Sequence, residues 1–302
     1  MNAAVAAPVR SRRVTRIFMD TPVTVELVGC DRDAIARIDA AFQWFEVVER
    51  TCSRFDPESE LSQLAARIGE PVPVTRMLAM ALDFAVEMAH LTGGAFDPTL
   101  GRLLAEAGFD RNHRTGRHIQ PGGGGSVEDV VVDVEQNTVL LRKPVALDLG
   151  AVAKGLAVDL AARELAGAPG FVVDAGGDVC AGGHSSSGQP WRIGIRHPRD
   201  TEQLIDTVVL RDAAICTSGD YERRTPAGHH LLEPQSGRSA SGLASVSVIA
   251  PSAMLADALS TAAFVLGPEA GAALLEREGA AGLLILPDLT TIEAGDFARY
   301  RP

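Results

Sequence analysis

Between positions 147 and 183 the chain reads LDLGAVAKGLAVDLAARELAGAPGFVVDAGGDVCAGG. An apolar run arrives at Asp148, Gly150 makes a turn, and Lys154 falls in the first turn of a predicted helix that stops at Gly167. A short apolar strand over 171–173 then runs into Gly176-Gly177-Asp178. This order commits the stretch to strand, turn, helix, strand and glycine turn. It leaves two acids and one lysine at backbone turns, where side chains can reach a ligand, and most other polar clusters read as partners for this unit.

Around it, alternation at Val23-Thr24-Val25-Glu26-Leu27 predicts a half-buried strand within 15–28. Ile35, Ile38, Phe42, Phe45 and Val48 recur at helical spacing and predict a helix over 31–50, with Asp31 as N-cap. Shorter helices are expected over 59–66 and 99–107, and Thr75 caps one through His90. Segments 130–134 and 138–141 read as a hairpin, and 191–195, 204–210, 213–217 and 243–250 as strands. Ser252 caps a helix over 253–266, a second follows over 269–278, a buried strand covers 283–286, and the end is expected to be irregular. Residues 1–14 are expected to be a disordered lead and 15–302 one folded domain. Strands and helices do not alternate strictly, which argues against a doubly wound parallel sheet. The expected class is α+β, with mixed or antiparallel sheets flanked by helices.

Charge excludes some functions. The 302 residues carry a net charge of −11, and the only small basic cluster is Arg10, Arg12, Arg13 and Arg16. Nucleic-acid binding needs clustered cations, so none is expected. No apolar run approaches the ~18 residues of a membrane span, and the N-terminus lacks the charged, apolar and small-residue order of a signal peptide. A cytoplasmic protein is expected. Cys30, Cys52, Cys180 and Cys216 are scattered without metal spacing, which fits small buried residues in a reducing compartment. GxGxxG and P-loop patterns are both missing.

Four constellations remain. Asp148 could accept ligand hydroxyls or help hold a metal, and Lys154 could meet a phosphate beside free helix-start N–H groups. The pair reads equally as a capping acid and a solvated lysine. Asp257 shares a helix face with Thr261 and sits among Ala, Leu and Met. A buried carboxylate is costly alone, so Asp257 needs a cation, a set of donors or a helix-start position. A hard metal such as Mg²⁺ would accept one carboxylate together with hydroxyl, carbonyl and phosphate oxygens. In His229-His230-Leu231-Leu232-Glu233-Pro234-Gln235-Ser236-Gly237, one histidine could serve as a general base or lie in an ordinary loop, and the spacing does not choose between them. Glycine turns precede Asp97, Asp178 and Asp220, where bare backbone suits close approach to a phosphate or a flat ring.

In order, these pieces resemble the ApbE family of flavin transferases. The matching segments are Met19-Asp20-Thr21, the run from Ser53 to Ser62, Thr92-Gly93-Gly94-Ala95-Phe96-Asp97-Pro98-Thr99, the opening stretch, 191–198, Thr217-Ser218-Gly219-Asp220-Tyr221-Glu222-Arg223, 230–237 and 256–267. The resemblance implies a single two-lobed domain that moves FMN from FAD onto a Ser or Thr hydroxyl of an acceptor protein, with Mg²⁺ required and AMP released. It implies that Met19 and Phe55 flank the flavin, and that Ala95, Phe96, Asp97, Asp148, Lys154 and Leu231 hold FAD. Ala151, through its carbonyl, would surround Mg²⁺ with Asp257, Ser260 and Thr261, and His230 would be the base. A Mg²⁺-dependent FAD hydrolase or a non-catalytic FAD-binding protein would use the same residues. Asp20 stands where the family usually has glycine, and Glu233 and Ser236 stand where it has Asp and Thr.

Overall fold

The computed structural model describes residues 10–29, 32–111, 116, 118–119 and 122–302. Its centre is an antiparallel sheet of eight strands in the order β1 (Ser11–Phe18), β2 (Thr21–Val28), β6 (Gly170–Ala175), β7 (Asp178–Gly183), β10 (Ala213–Gly219), β13 (Ser245–Ala250), β14 (Ala281–Ile285) and β15 (Thr291–Ala294). Period-two alternation assigns the faces. Ala214 and Cys216 of β10, Val246 and Val248 of β13, and Leu284 of β14 enter one core. Their neighbours Ile215, Ile249, Leu283 and Ile285 enter another on the opposite face. A slip of one residue would exchange the two sets, so the register is strongly specified.

Helices cover the first face: α1 (Ala34–Cys52), α5 (Gly150–Leu165), α6 (Ala253–Leu266) and α7 (Pro268–Arg277). The hairpin of β8 (Trp191–His197) and β9 (Asp200–Leu210) covers the second, with Trp191, Ile195, Val208 and Leu210 in the core. The indole N–H of Trp191 donates to the Gly182 carbonyl at 3.0 Å, so this large ring is buried without an orphaned donor. A smaller sheet, β3 (Pro71–Pro73), β5 (Thr138–Leu141) and β4 (Val130–Asp133), adjoins α3 (Arg76–Leu91). Short helices α2 (Glu60–Ala65) and α4 (Gly101–Glu106) and the two-stranded β11 (Arg224–Thr225) and β12 (Gly228–His229) complete the set. The α+β class with antiparallel sheets is as expected, and helix starts at Ser59, Thr75 and Ser252 are closed by their own hydroxyls.

Three expectations change. Strand β1 begins at Ser11 and pairs with β2 along its length, so the last four residues of the expected lead belong to the sheet. The chain end is not irregular: β15 extends the sheet, and Phe297 of a following 3₁₀ turn is fully buried. Asp31, expected to cap α1, lies outside the described residues, as do Cys30 and much of the glycine-rich loop over 112–126. The observed N-cap is Asp33, with no side-chain capping bond.

Candidate active site

The site forms where the N-terminus of α5 meets α6 and the start of β7. Gly155 makes this meeting possible. A Cβ there would come within 2.6 Å of the Ala253 carbonyl oxygen and of Met254 Cα. Asp159, one turn on, fixes the angle: its two carboxylate oxygens accept the Ala253 and Met254 N–H groups at 2.7 and 3.0 Å. An acid on one helix thus caps the next, and it sets Asp257 opposite Lys154.

Lys154 Nζ lies 2.8 Å from Asp178 Oδ2, and Asp178 is 1 % exposed. Burial alone would push the Lys154 ammonium down, but Asp178 and Asp257 together outweigh it and hold the pKa above the ordinary lysine value. Two buried carboxylates therefore share one ammonium. Burial, then repulsion by Asp178, pushes Asp257 up to about 8, although the Gly155 N–H and Lys154 favour its charged form. Asp257 Oδ2 is buried without a hydrogen-bond partner. Near the start of α5, Ala151 departs from helical geometry at φ −95°, ψ 19°, four residues before Gly155.

The hydroxyls expected near Asp257 are present. Ser260 Oγ donates to the Asp257 carbonyl at 2.9 Å and meets Ser218 Oγ at 2.8 Å, and Ser218 Oγ lies 3.2 Å from Thr261 Oγ1. Among the described residues no three His, Cys, Asp or Glu side chains converge as a metal cluster. A cation here would lean on one carboxylate, carbonyls, hydroxyls and ligand oxygens. The orphaned Asp257 oxygen fits such an ion, since it is a charge acceptor with no donor in the protein.

Asp148 takes another course. Its Oδ1 accepts the Gly150 N–H at 2.7 Å, and its Oδ2 forms an ion pair with Arg54 Nε rather than with Lys154. The Asp148 N–H donates to the Pro98 carbonyl at 2.8 Å, which ties the 95–98 loop to the start of α5. In that loop Ala95 and Phe96 are buried, and Asp97 Oδ1 accepts the Thr99 N–H and hydroxyl at 2.8 and 2.6 Å. Arg54 also stacks over the Phe55 ring at 4.3 Å and donates to the Phe109 carbonyl at 2.5 Å. The Phe109 ring meets His230 edge-on, with centroids 6.2 Å apart. One chain of contacts therefore runs from Asp97 through Asp148 and Arg54 to His230.

The two histidines separate. His229 is buried, bonded through Nε2 to the Ala240 carbonyl at 3.0 Å and packed on Phe264. His230 is half-buried, and its Nδ1 has no hydrogen-bond partner. Burial, then the Arg223 charge with a contribution from Lys154, lowers its pKa to about 3, so the ring is neutral near pH 7. Leu231 beside it is core. Met19 and Asp20 form the two-residue turn between β1 and β2 at φ 50° and 57°. Asp tolerates this left-handed region better than most residues, so it can stand where glycine would. Thr21 follows them, and its Cγ2 would lie 2.4 Å from a Cβ on Gly176, which seats the turn against the glycines before Asp178. The Glu233 swap is also accommodated, because Ser236 Oγ donates to it at 2.9 Å.

The expected residues thus gather into two adjoining groups joined by the start of α5. Arg54, Asp178 and Ser218 were missing from the expected site residues. Asp178 and Ser218 had carried a signal, since each adjoins a glycine turn that sequence alone singles out. Asp220 falls outside the site, held by Arg199 through two bonds of 2.6 and 2.8 Å. A cleft of about 490 Å³ lined by Pro169, Phe171, Cys180, Gly182, His184 and Arg211 shares no residue with either group.

Residues 19–284 match the model of the ApbE family. This chain belongs to the ApbE family. A Treponema pallidum protein named FAD:protein FMN transferase is 35% identical over 289 residues, covering 84% of this chain and 78% of that protein. A Haemophilus influenzae protein of the same name is 30% identical over 259 residues, covering 79% and 75%. The crystal structure of the ApbE protein from Thermotoga maritima superposes with a TM-score of 0.86 at 29% identity, covering 97% of this chain and all of that one. The apo flavinyl transferase ApbE of Pseudomonas stutzeri gives 0.83 at 28% identity, covering 98% and 99%. Among the described residues, no helix of this ApbE-family chain is long and apolar enough to cross a membrane.

Proposed function

We propose that this chain is a Mg²⁺-dependent FAD:protein FMN transferase acting on a Ser or Thr hydroxyl of an acceptor protein. The observation that carries the reading is the buried Asp257 oxygen without a partner, set beside the Lys154–Asp178 pair and one wall away from a neutral His230. The names of the relatives supply flavin transfer, and these residues fit the transfer of a phosphoryl-linked group.

FAD is the substrate. Phe55, with Arg54 stacked over it, and Met19 would offer faces to the isoalloxazine ring, and the 95–97 backbone with Asp97, Asp148 and Leu231 would hold the rest of FAD. Lys154 meets the pyrophosphate. Asp257, Thr261, Ser260 and the Ala151 carbonyl would hold Mg²⁺, which when bound neutralises charge on the pyrophosphate oxygens. His230 takes the proton of the acceptor hydroxyl as that oxygen bonds to the FMN phosphorus. The bond to the bridging oxygen breaks and AMP leaves with its electrons. The low basicity of His230 is caused by burial and by the Arg223 and Lys154 charges, and an anionic pyrophosphate would offset the second of these.

The test is incubation with FAD, Mg²⁺ and acceptor proteins, read by in-gel flavin fluorescence and by AMP release. Covalent flavin is expected, with a loss of about 10²–10⁴ in rate for His230→Ala. FAD turnover without acceptor would make the protein a hydrolase, and tight FAD binding with no AMP under any condition would make it a flavin-binding protein.

A further inference from the structure

Asp178 has no part in the reaction just described, yet it is the most deeply buried acid in the site. Its carboxylate is 1 % exposed, and its ion-pair partner among the described residues is Lys154, 2.8 Å away on a side chain that is 28 % exposed. The backbone that presents it is heavily specified. Gly176 and Gly177 both take left-handed angles, φ 66° and 99°, which side chains rarely adopt. The Gly177 N–H donates to Asp174 Oδ1 at 3.0 Å, and Thr21 packs against Gly176. Asp257, whose Oδ2 has no donor, is the second carboxylate acting on the same ammonium. A flexible ammonium between two carboxylates has two places to go, and it occupies the one on the sheet.

We propose that Asp178 is a positioning residue that holds Lys154 on the β7 side of the site, so that the Asp257 oxygen stays free for a divalent cation while the ammonium faces the phosphates. Without Asp178, Lys154 turns to Asp257 and fills the cation's place with its own charge. The inference rests on the Mg²⁺-dependent reading above, and it assigns to the Gly176-Gly177-Asp178 turn the task of keeping a lysine and a metal from competing for one carboxylate.

The experiment is a double-mutant cycle on the full chain. Mg²⁺ binding is read as titration heat with MgCl₂, FAD binding by fluorescence quenching, and turnover by AMP release. Asp178→Asn is expected to raise the Mg²⁺ half-saturation about tenfold or more, the scale seen when support behind a metal ligand is lost. FAD affinity should weaken less than this. In a Lys154→Met background, which cannot compete for Asp257, the same substitution should change Mg²⁺ affinity less than about twofold, because coupled groups do not add. An equal Mg²⁺ half-saturation for wild type and Asp178→Asn overturns the proposal, as does an equal loss in both backgrounds. Should Asp178→Asn not fold, Asp178→Ser carries the same expectation. If neither folds but Lys154→Met/Asp178→Asn does, the ammonium has been stranded rather than taken up by Asp257, and the proposal falls. If the double variant also fails to fold, Asp178 belongs to the fold and the proposal falls. A wild-type protein that binds neither FAD nor Mg²⁺ instead overturns the functional reading itself.

Discussion

Replacing Asp257 by asparagine tests whether the protein by itself disfavours a charged carboxylate at this position. Burial and Asp178 move Asp257 from 3.8 to about 8. The folded value lies above the unfolded one, so the stability linked to this group is fully present below pH 3.8 and is lost as pH rises through about 8. At pH 7 the carboxyl is mostly protonated in the folded protein and ionised in the unfolded chain, a preference for the unfolded chain of about 4 kcal/mol; at pH 5 it is about 2 kcal/mol. Asparagine is isosteric, keeps an acceptor for the Gly155 N–H and carries no charge. Because Asp178 and Lys154 readjust together, about half of the figure should be recovered. In EDTA, Asp257→Asn should therefore exceed wild type by about 2 kcal/mol at pH 7 and by less than about 1 kcal/mol at pH 5, measured by urea denaturation. Mg²⁺ at a hundredfold excess over its Kd should return about 2.7 kcal/mol to wild type alone. A variant weaker than wild type by the same amount at both pH values in EDTA would refute the reasoning, since Asp257 would then be satisfied by the protein itself.

Other outcomes follow from the same contacts. His230 has the opposite sign: its folded value of about 3 lies below the ordinary 6.5, so its contribution is present above pH 6.5 and is lost as pH falls toward 3. Urea denaturation between pH 4 and 7 should show His230→Asn losing less stability on acidification than wild type. Asp159→Asn leaves one of the Ala253 and Met254 N–H groups without an acceptor, and should cost about 1–2 kcal/mol by chemical denaturation at pH 7. Gly155→Ala gains about 1 kcal/mol of helix propensity but drives a methyl into the backbone at the start of α6. A net loss of about 1–2 kcal/mol is expected, with weaker Mg²⁺ binding by titration calorimetry as Asp257 moves from its partners.

What was legible in the sequence was local. Ser252 and Thr75 cap α6 and α3 because a hydroxyl three residues before a free N–H has one obvious use, and the bonds form at 3.3 Å. The family's segments named His230, Asp257 and Lys154, and in the fold the Lys154 charge acts on both of the others. What stayed hidden was the pairing of charges across the fold. Asp148 and Lys154 lie on one short stretch and invite being matched to each other, yet Asp148 meets Arg54 and Lys154 meets Asp178. Each choice depends on how α5 docks against the sheet, and no spacing within the stretch encodes that. The two outer strands were missed for a related reason. An edge strand buries little, so β1 carries Arg12, Arg13 and Arg16 on its exposed length and reads as a solvated tail.

The Asp257 oxygen marks where local and global consistency part. Among the described residues the other buried acids have answers, Asp129 from the Ser126 backbone and Lys143 and Asp178 from an ammonium, and the half-buried Asp159 is met by two N–H groups. A protein that can place donors so carefully around Asp159, on the adjoining helix, could have done so around Asp257. Instead it set the acid one turn into an apolar helix, spent the nearest lysine on Asp178 and turned the nearest hydroxyls toward one another. The proposed cation is what would complete this exception. On the proposed reading the acid behind Lys154 has a use as well: without it, the ammonium would be free to satisfy Asp257 in the cation's place.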